Sequence, residues 1–432
     1  MKNKQYSWIY AFAFVLFTVL ACEKETEEPE SPINVVSNVI NVDLEEEYQH
    51  IVGFGGCNGV FRGAENFPKE RDMQNAYGMG ETSLGLSIFR VSIHPKPDRW
   101  PAIAEVAKYA QDRGALVFAS PWDAPSDMLD PNHNEKRILP SKYDAYVDHL
   151  NRFDDFMTNN GVNLHAISIQ NEPDIGEWTQ WTIAEVNDFV KNHADGINNR
   201  VITAESFNFN RNYYNDILND PESVENIDIV GGHIYGNGLG EFPLAVEKGK
   251  EIWMTEYLLN ETSGNITGDD WSEISEQQKW QQSMDMLNTV HEAMTSNWNA
   301  YVLWYLKRYY SFIGDGIEDS IDGRILKRGY AFSHYSKFIR PGYIRVGHEL
   351  DVNRGLQITA YKGEDKVVIV IINSSPGDTN AKLSVKNQVI ANAKAYSTDL
   401  TKNRMPIDLE VEENAILLSL TSSSVTTVVV DL

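Results

Sequence analysis

Between residues 51 and 305 of this 432-residue chain, eight short apolar segments alternate with longer stretches that have helical patterns. Near-continuous apolar segments are typical of parallel strands buried on both faces, which need long crossovers such as helices between them. Eight such repeats predict the α/β class and a (β/α)8 TIM barrel, with a doubly wound open sheet as the alternative. The segments are IVGFGG (51–56), LSIFRVS (86–92), ALVFAS (115–120), LHAISIQ (164–170), RVITAES (200–206), IDIVGGHIY (227–235), EIWMTE (251–256) and AYVLWY (300–305).

Helices are predicted between the strands because apolar residues recur there at helical spacing. Thr182 followed by Glu185 also forms a capping box, which marks the start of one more helix. The two apolar faces consist of Tyr143, Tyr146, Val147, Leu150, Phe153 and Met157, and of Trp280, Met284, Leu287, Val290 and Met294.

The pattern changes near residues 338–346, after which short strand segments follow one another with turn residues between them. They predict an antiparallel β-sandwich side domain of about ninety residues. The segment VINVDL (39–44) alternates in the same way, so we expect it to add a strand to this domain. The predicted organisation is a lipoprotein signal peptide at 1–21, an acidic tether at 22–34, a sandwich strand at 35–48, the barrel at 49–339 and the sandwich at 340–432.

The N-terminal segment has the features of an export signal. Lys2 and Lys4 precede an apolar run at 8–21 that is too short to span a bilayer. The run ends in VLAC, which resembles a bacterial lipobox with Cys22 as the lipidated residue; the alternative is an ordinary secretory signal with a chance cysteine. The acidic tether that follows resembles the surface-export signals of Bacteroidota. We therefore expect a monomeric outer-membrane lipoprotein of a Gram-negative bacterium, at the cell surface or in the periplasm.

Composition excludes several classes of partner and site. The net charge is −25, and removal of Lys2 and Lys4 makes it −27. Such a charge argues against binding of nucleic acid, and it disfavours polyanionic substrates unless a local arginine offsets the negative field. Cys22 and Cys57 are the two cysteines, so a disulfide framework and a cysteine zinc site are excluded, and Cys57 is predicted to be a buried apolar residue. Twenty tyrosines and ten tryptophans slightly favour a carbohydrate ligand, because flat rings stack on sugars; core filling is the alternative.

Two glutamates follow predicted strands at the same end. Glu172 comes directly after the fourth strand, in QNEPD, and Glu256 ends the seventh. In a TIM barrel, active sites lie at the C-terminal ends of the strands, so both side chains are expected on that rim. A single glutamate there is as readily a surface or salt-bridging residue. A pair suits glycoside hydrolysis, with the carboxyl groups about 5–5.5 Å apart in a retaining enzyme.

Several longer motifs carry a family resemblance. They are GFGGCNG, ASPWDAPSDM, GVNLHAISIQNEPD, EWTQWT, ILNDPESVENIDIVGGHIYG, WMTEY and KRGYAFSHYSKFIRPGYIRV. From about residue 35 onward the chain resembles glycoside hydrolase family 30, in particular subfamily 8, the bacterial glucuronoxylan endo-β-1,4-xylanases. The resemblance implies that Glu172 is the acid/base and Glu256 the nucleophile, that Asn58 contributes to binding of xylan, and that no cofactor or metal is needed.

The neighbours of the glutamates fit roles that this chemistry requires. Asn171 can hydrogen-bond the sugar 2-hydroxyl. Arg90 can hold Glu256 ionised, although a structural ion pair is its alternative. His233 and Tyr235 are expected to orient the nucleophile and line the cleft, and a core histidine is the alternative for the first. The acid is expected to have a raised pKa because of the neighbouring carboxylate and partial desolvation.

Three tryptophans can supply stacking faces for sugar rings, although each could instead serve packing. They are Trp122 and Trp304, which follow the third and eighth strands, and Trp178 on the loop after the fourth.

One short stretch of the sequence bears on recognition of the glucuronic acid branch of xylan. In the subfamily, an arginine in W-Y-I-R-R pairs with the glucuronic acid of xylan, and residues 304–308 here read WYLKR. Arg308 supplies the guanidinium that suits bidentate capture of a carboxylate, and Lys307 keeps a charge beside it. The tyrosine and serine that also touch the branch correspond to Leu258 and Thr262 here, so a weaker dependence on glucuronate is expected.

Other motifs and functions are less well supported. The glycines at 53–59 do not have the spacing of a dinucleotide loop, and GDGIEDSIDG (314–323) misses the calcium-loop spacing and is predicted to be a solvated loop. No serine nucleophile elbow or H-E-x-x-H motif is present. Two functional alternatives remain: a family 30 enzyme on another β-glycan or a glucosylceramide-like substrate, and a non-catalytic glycan-binding lipoprotein.

Overall fold

The computed structural model describes residues 38–58, 67–236, 238–259, 271–351 and 355–432. Eight parallel strands form a closed barrel in which each strand pairs with the next and the last pairs with the first. The predicted TIM barrel is therefore confirmed, and the open-sheet alternative is wrong. The barrel strands are β2 (Gly53–Cys57), β3 (Ile88–Ile93), β4 (Leu116–Pro121), β5 (Leu164–Ser168), β6 (Val201–Ile202), β7 (Ile229–His233), β8 (Glu251–Glu256) and β9 (Ala300–Leu303).

Helices follow most of the barrel strands and cover them with apolar faces. The two apolar faces predicted from the sequence are buried in α3 and α7, and the capping box of Thr182 and Glu185 begins α4. In the described residues the α-helices are α1 (Glu70–Tyr77), α2 (Trp100–Gln111), α3 (Tyr143–Asn159), α4 (Ile183–Asn192), α5 (Asn212–Asn219), α6 (Pro243–Glu247), α7 (Glu276–Thr295) and α8 (Lys327–Ser336). None of them is long and apolar enough to cross a membrane.

The remaining strands form one curled sheet of ten. They are β1 (Asn38–His50), β10 (Ile344–Asp351), β11 (Leu356–Lys362), β12 (Lys366–Asn373), β13 (Thr379–Val385), β14 (Ala393–Thr398), β15 (Met405–Ile407), β16 (Glu410–Glu412), β17 (Ala415–Leu420) and β18 (Ser424–Asp431). Their order is β15-β14-β18-β12-β11-β10-β1-β13-β17-β16. The N-terminal strand β1 lies between β10 and β13, and its pairing with β13 is parallel. Apolar residues from most of these strands share one core, which shows that the sheet curls on itself.

This side sheet packs against the barrel through strand β12, which is apolar on both faces. Val367, Ile369 and Ile371 belong to the core of the sheet, whereas the alternate residues join the core between barrel and helices. His334 of α8 hydrogen-bonds the hydroxyl of Thr427 at 2.8 Å across the contact. The packing fixes one side of the barrel and leaves the C-terminal ends of its strands free to build a site.

Candidate active site

Strands β5 and β8 bring the two predicted glutamates together. An oxygen of Glu172, an oxygen of Glu256 and a ring nitrogen of His233 all lie within 4.8 Å of one another. Both carboxylates are largely buried, at 7% and 5% exposure. An approach this close is shorter than the roughly 6.5–9.5 Å that separates the carboxyl groups of inverting glycosidases.

Glu172 is held in an unusual backbone conformation. Its φ is +43°, in the left-handed region that residues with a side chain rarely adopt, and its N–H donates to the carbonyl of Glu205 at 2.8 Å. Trp178 Nε1–H donates to Oε2 of Glu172 at 2.9 Å, and His233 Nδ1 hydrogen-bonds Oε1 at 2.9 Å. Strand β5 therefore ends in a strained turn that fixes the direction of this carboxylate.

Glu256 has a hydrogen-bond donor on each carboxylate oxygen. Arg90 Nη1–H donates to Oε2, and the hydroxyl of Tyr235 donates to Oε1 at 2.9 Å. Arg90 has no exposed surface, so the ion pair forms away from bulk water. These contacts agree with the predicted positions of Arg90 and Tyr235 beside Glu256, and they leave its carboxylate fixed at the end of β8.

A third carboxylate, Glu205, belongs to the same cluster but was not predicted from the sequence. It is fully buried and accepts hydrogen bonds from Arg90 Nη2, from Ser120 Oγ at 2.7 Å and from His233 Nε2 at 3.4 Å. It thereby fixes the positions of Arg90 and His233, which contact Glu256 and Glu172. The sequence contained a signal for it, because Glu205 lies near the C-terminal end of the predicted strand 200–206, as Glu256 does in the segment 251–256.

Two buried asparagines have polar side-chain atoms that no described residue satisfies. Asn171 Oδ1 accepts from Arg90 Nη2 at 2.7 Å, whereas its Nδ2 has no partner within the described ranges. Asn58 directly follows β2, and neither polar atom of its side chain has a hydrogen-bond partner among the described residues. Because an unpaired buried polar atom costs about 1–3 kcal/mol, a ligand hydroxyl at these amides would be favourable.

Aromatic rings complete the wall of the cluster. Trp122 lies over the guanidinium of Arg90, 4.4 Å from ring centroid to Cζ, and its ring is 5.9 Å from that of Trp304. Trp304 in turn stacks on Tyr305, with centroids 4.3 Å apart. Trp178 packs against this group and remains partly exposed. The three predicted tryptophans thus belong to one aromatic group beside the glutamates.

Comparison with known proteins identifies the family. No known family model matches the chain. Glucuronoxylanase XynC of Bacillus subtilis (strain 168) is 40% identical over 405 residues, which cover 91% of this chain and 92% of that protein. The subfamily 8 xylanase Xyn30A of Clostridium acetobutylicum is 30% identical with a TM-score of 0.79, over 91% of this chain and 99% of that one. The chain belongs to glycoside hydrolase family 30, subfamily 8.

A second solved member of family 30 has the same fold. The endoxylanase from Clostridium papyrosolvens C71 is 33% identical and matches with a TM-score of 0.79, covering 91% of this chain and all of that one. The barrel and the side sheet are therefore features of the family.

The buried cluster shifts pKa values in directions that were not all predicted. Burial alone would lower the pKa of His233, but the charge of Glu256 and hydrogen bonds to the other carboxylates raise it to about 9. Burial raises the pKa of Glu172, yet hydrogen bonds from His233 and Trp178 outweigh this effect and lower it. Burial raises the pKa of Glu256 by more than His233 and Arg90 lower it. The prediction of a raised pKa for Glu172 is therefore wrong for the uncomplexed protein, because hydrogen bonds from His233 and Trp178 favour its ionised form.

One prediction for the stretch after β9 is wrong, namely that Lys307 keeps its charge beside Arg308. Lys307 is buried and its Nζ contacts Asp72 at 2.6 Å and Asp322 at 2.7 Å, so its charge is used in structural ion pairs and not beside Arg308. The sequence could not predict this because Asp72 is 235 residues away along the chain.

Arg308 itself lies on the rim that follows β9, outside the cluster of glutamates. Its Nη1–H donates to Oδ2 of Asp315 at 3.1 Å, and its guanidinium lies 4.6 Å from the ring centroid of Tyr309. The side chain of Arg308 is 24% exposed and that of Asp315 only 2%. The predicted solvated loop at 314–323 is therefore wrong at Asp315. Leu258 is buried in the aromatic group, and Thr262 lies outside the described residues.

Proposed function

We propose that this family 30 enzyme is an endo-β-1,4-xylanase that hydrolyses (4-O-methyl)glucuronate-branched xylan with retention of configuration. The observation that carries the proposal is the approach of Glu172 and Glu256 to within 4.8 Å at the ends of β5 and β8. The substrate is supported by the relatives, which are named as a glucuronoxylanase and as family 30 xylanases.

The reaction proceeds by double displacement. The carboxylate of Glu256 attacks the anomeric carbon, and the glycosidic bond breaks as Glu172 protonates the departing oxygen. A glycosyl-enzyme ester results. Glu172 then takes a proton from water, the water oxygen attacks the anomeric carbon, and the ester bond to Glu256 breaks. Because the pKa of His233 is raised and that of Glu172 is lowered before substrate binds, His233 passes a proton to Glu172 along their hydrogen bond before the first step. The proton that Glu172 takes from water in the second step then returns to His233.

The amide of Asn171 is assigned to the sugar next to the cleaved bond. Its Oδ1 is occupied by Arg90, whereas its Nδ2 has no partner among the described residues and can donate to the 2-hydroxyl. This contact strengthens as charge develops on the ring in the transition state. The rings of Trp122, Trp304 and Trp178 are assigned to flat faces of xylose units.

Retention of configuration is the test of this mechanism. Products of xylan digestion should appear first as the β-anomer in time-resolved NMR, because two inversions at one carbon restore its configuration. Digests of glucuronoxylan and of unbranched xylo-oligosaccharides, sized side by side, should both contain internal cleavage products. An initial α-anomer would contradict the double displacement, and no cleavage of either substrate would contradict the xylanase assignment.

The branch carboxylate is assigned to Arg308, which carries a guanidinium on the rim after β9. Loss of a charged hydrogen bond costs roughly 1.5–3 kcal/mol, so Arg308→Ala should lower kcat/KM on glucuronoxylan by about ten- to a hundred-fold. The loss on unbranched xylan should be far smaller. Carboxyl reduction of the substrate should imitate the mutation, and the two losses should not add because both remove one interaction. Equal losses on branched and unbranched xylan would mean that Arg308 supports the fold instead.

We also propose that the protein is a monomer attached to the outer membrane by a lipid on Cys22. The proposal rests on the VLAC sequence and on the acidic residues after it, all of which lie outside the described residues. In the native host, Cys22→Ser should move the enzyme from the membrane fraction to a soluble fraction with its specific activity retained. Recovery of the unmutated protein in the medium would contradict lipid attachment.

A further inference from the structure

Asp315 is a buried acid on the loop that follows Arg308. Its side chain is 2% exposed, and Oδ2 accepts the hydrogen bond from Arg308 at 3.1 Å. The loop fixes this residue, because Ser320 Oγ accepts the N–H groups of Asp315 and Gly316, each at 3.2 Å. The N–H of Ile317 contacts Oδ1 at 3.4 Å. The carboxylate is therefore held beside the guanidinium by the backbone of its own loop.

This pairing changes what Arg308 can offer a ligand. A buried carboxylate is costly unless cations and hydrogen-bond donors compensate it, and Arg308 is one of the groups that compensate Asp315. Conversely, much of the positive charge of Arg308 is compensated before any substrate arrives. One face of the guanidinium is also covered by the ring of Tyr309. In a chain whose net charge is −25, little other attraction for a carboxylate is expected from the overall field.

We propose that Asp315 is a specificity-determining residue that competes with the uronic acid carboxylate of the substrate for Arg308, and so weakens the preference of the enzyme for branched xylan. The inference rests on the proposed function. A uronate that binds Arg308 must either lie beside the charge of Asp315 or displace it. Both cost free energy, since like charges repel and a displaced buried carboxylate loses its contact with Arg308. Asp315 acts through Arg308 and is a positioning residue, not a catalytic one.

The test is Asp315→Asn, which keeps the shape and an acceptor oxygen but removes the negative charge. The ratio of kcat/KM on glucuronoxylan to kcat/KM on unbranched xylan should rise by about five-fold, mainly through a lower KM on the branched substrate. The rise should shrink as salt is added, because added ions screen the attraction to a more positive arginine. A merely structural role would change both substrates together.

Asp319→Asn is the matched control. Asp319 is exposed, lies on the same loop and carries the same charge, and Arg308 is not among its described contacts. Its replacement should leave the substrate ratio within error of the unmutated enzyme. An equal rise in both variants would mean that the general field of the loop, and not the Arg308 pair, sets the preference, and this would overturn the proposal.

A double variant and a binding measurement complete the design. In an Arg308→Ala background, Asp315→Asn should give no rise in the ratio, because the effect passes through the arginine.

Calorimetry with a glucuronate-branched xylotriose and with plain xylotriose needs no turnover, and Asp315→Asn should tighten binding of the branched ligand only. An unchanged or lower preference for the branched ligand overturns the inference even if xylan is cleaved. Absence of xylan cleavage by the unmutated enzyme contradicts the proposed function, while calorimetry still decides the role of Asp315.

Discussion

Glu256→Ala should lower turnover of native xylan by roughly 10⁴- to 10⁶-fold, the scale seen when a nucleophile is removed from a preorganised site. Arg90 and Tyr235 hold both oxygens of this carboxylate in place for the attack on the anomeric carbon, and alanine offers no nucleophile there. Reducing ends released from glucuronoxylan measure the effect. Activity near that of the unmutated enzyme would remove Glu256 from the mechanism.

A control lies on the same strand. Glu251 begins β8 at the opposite end of the barrel, where it pairs with Arg200 at 2.9 Å. Glu251→Gln should lower thermal stability but retain kcat on xylan, because it removes a charge remote from the C-terminal rim. A loss of kcat as large as that of Glu256→Ala would show that the strand, and not the carboxylate, is what the first mutation damaged.

Glu172→Ala should lower turnover of native xylan by about 10²- to 10⁴-fold, the usual contribution of a general acid–base group. Aryl xylosides with good leaving groups need no proton for departure, so formation of the glycosyl-enzyme from them should continue. The measurement is a pre-steady-state burst of the phenol followed by slow release of sugar. Loss of the burst as well would mean that Glu172 does more than transfer a proton.

Azide distinguishes the two roles, which the pKa directions alone would not assign. In Glu172→Ala, azide should enter on the face left open by the acid/base and attack the glycosyl-enzyme, which gives a β-glycosyl azide. In Glu256→Ala it should take the place of the nucleophile and give the α-anomer. If Glu172→Ala gave the α-glycosyl azide and Glu256→Ala the β-anomer, Glu172 would be the nucleophile and Glu256 the acid/base. This outcome matters because the pKa of Glu172 is lowered and that of Glu256 raised in the uncomplexed protein.

The sequence by itself predicted the barrel, with an open sheet as the alternative, and it predicted that Glu172 and Glu256 lie together. Strands that are apolar on both faces and separated by helices can form few architectures, and the closed barrel puts every strand end on one rim. Glu172 and Glu256 then had to lie on the same face, whatever the details of packing. Local signals such as the capping box at Thr182 and the apolar stripe of α3 were equally readable, because each involves residues within a few turns.

Only the tertiary structure decided which charges meet. Glu205 contacts Arg90 across 115 residues, and Lys307 contacts Asp72 across 235, so no local spacing records either pair. The directions in which the pKa values of Glu172 and Glu256 shift also depend on the position of His233, which lies among carboxylates from different strands. Even the contact of Arg308 with Asp315, only seven residues apart, depends on a loop that folds back and buries its acid. Periodicity fixes which face a side chain occupies, whereas the fold fixes its partner, because burial and distance are properties of the assembled chain.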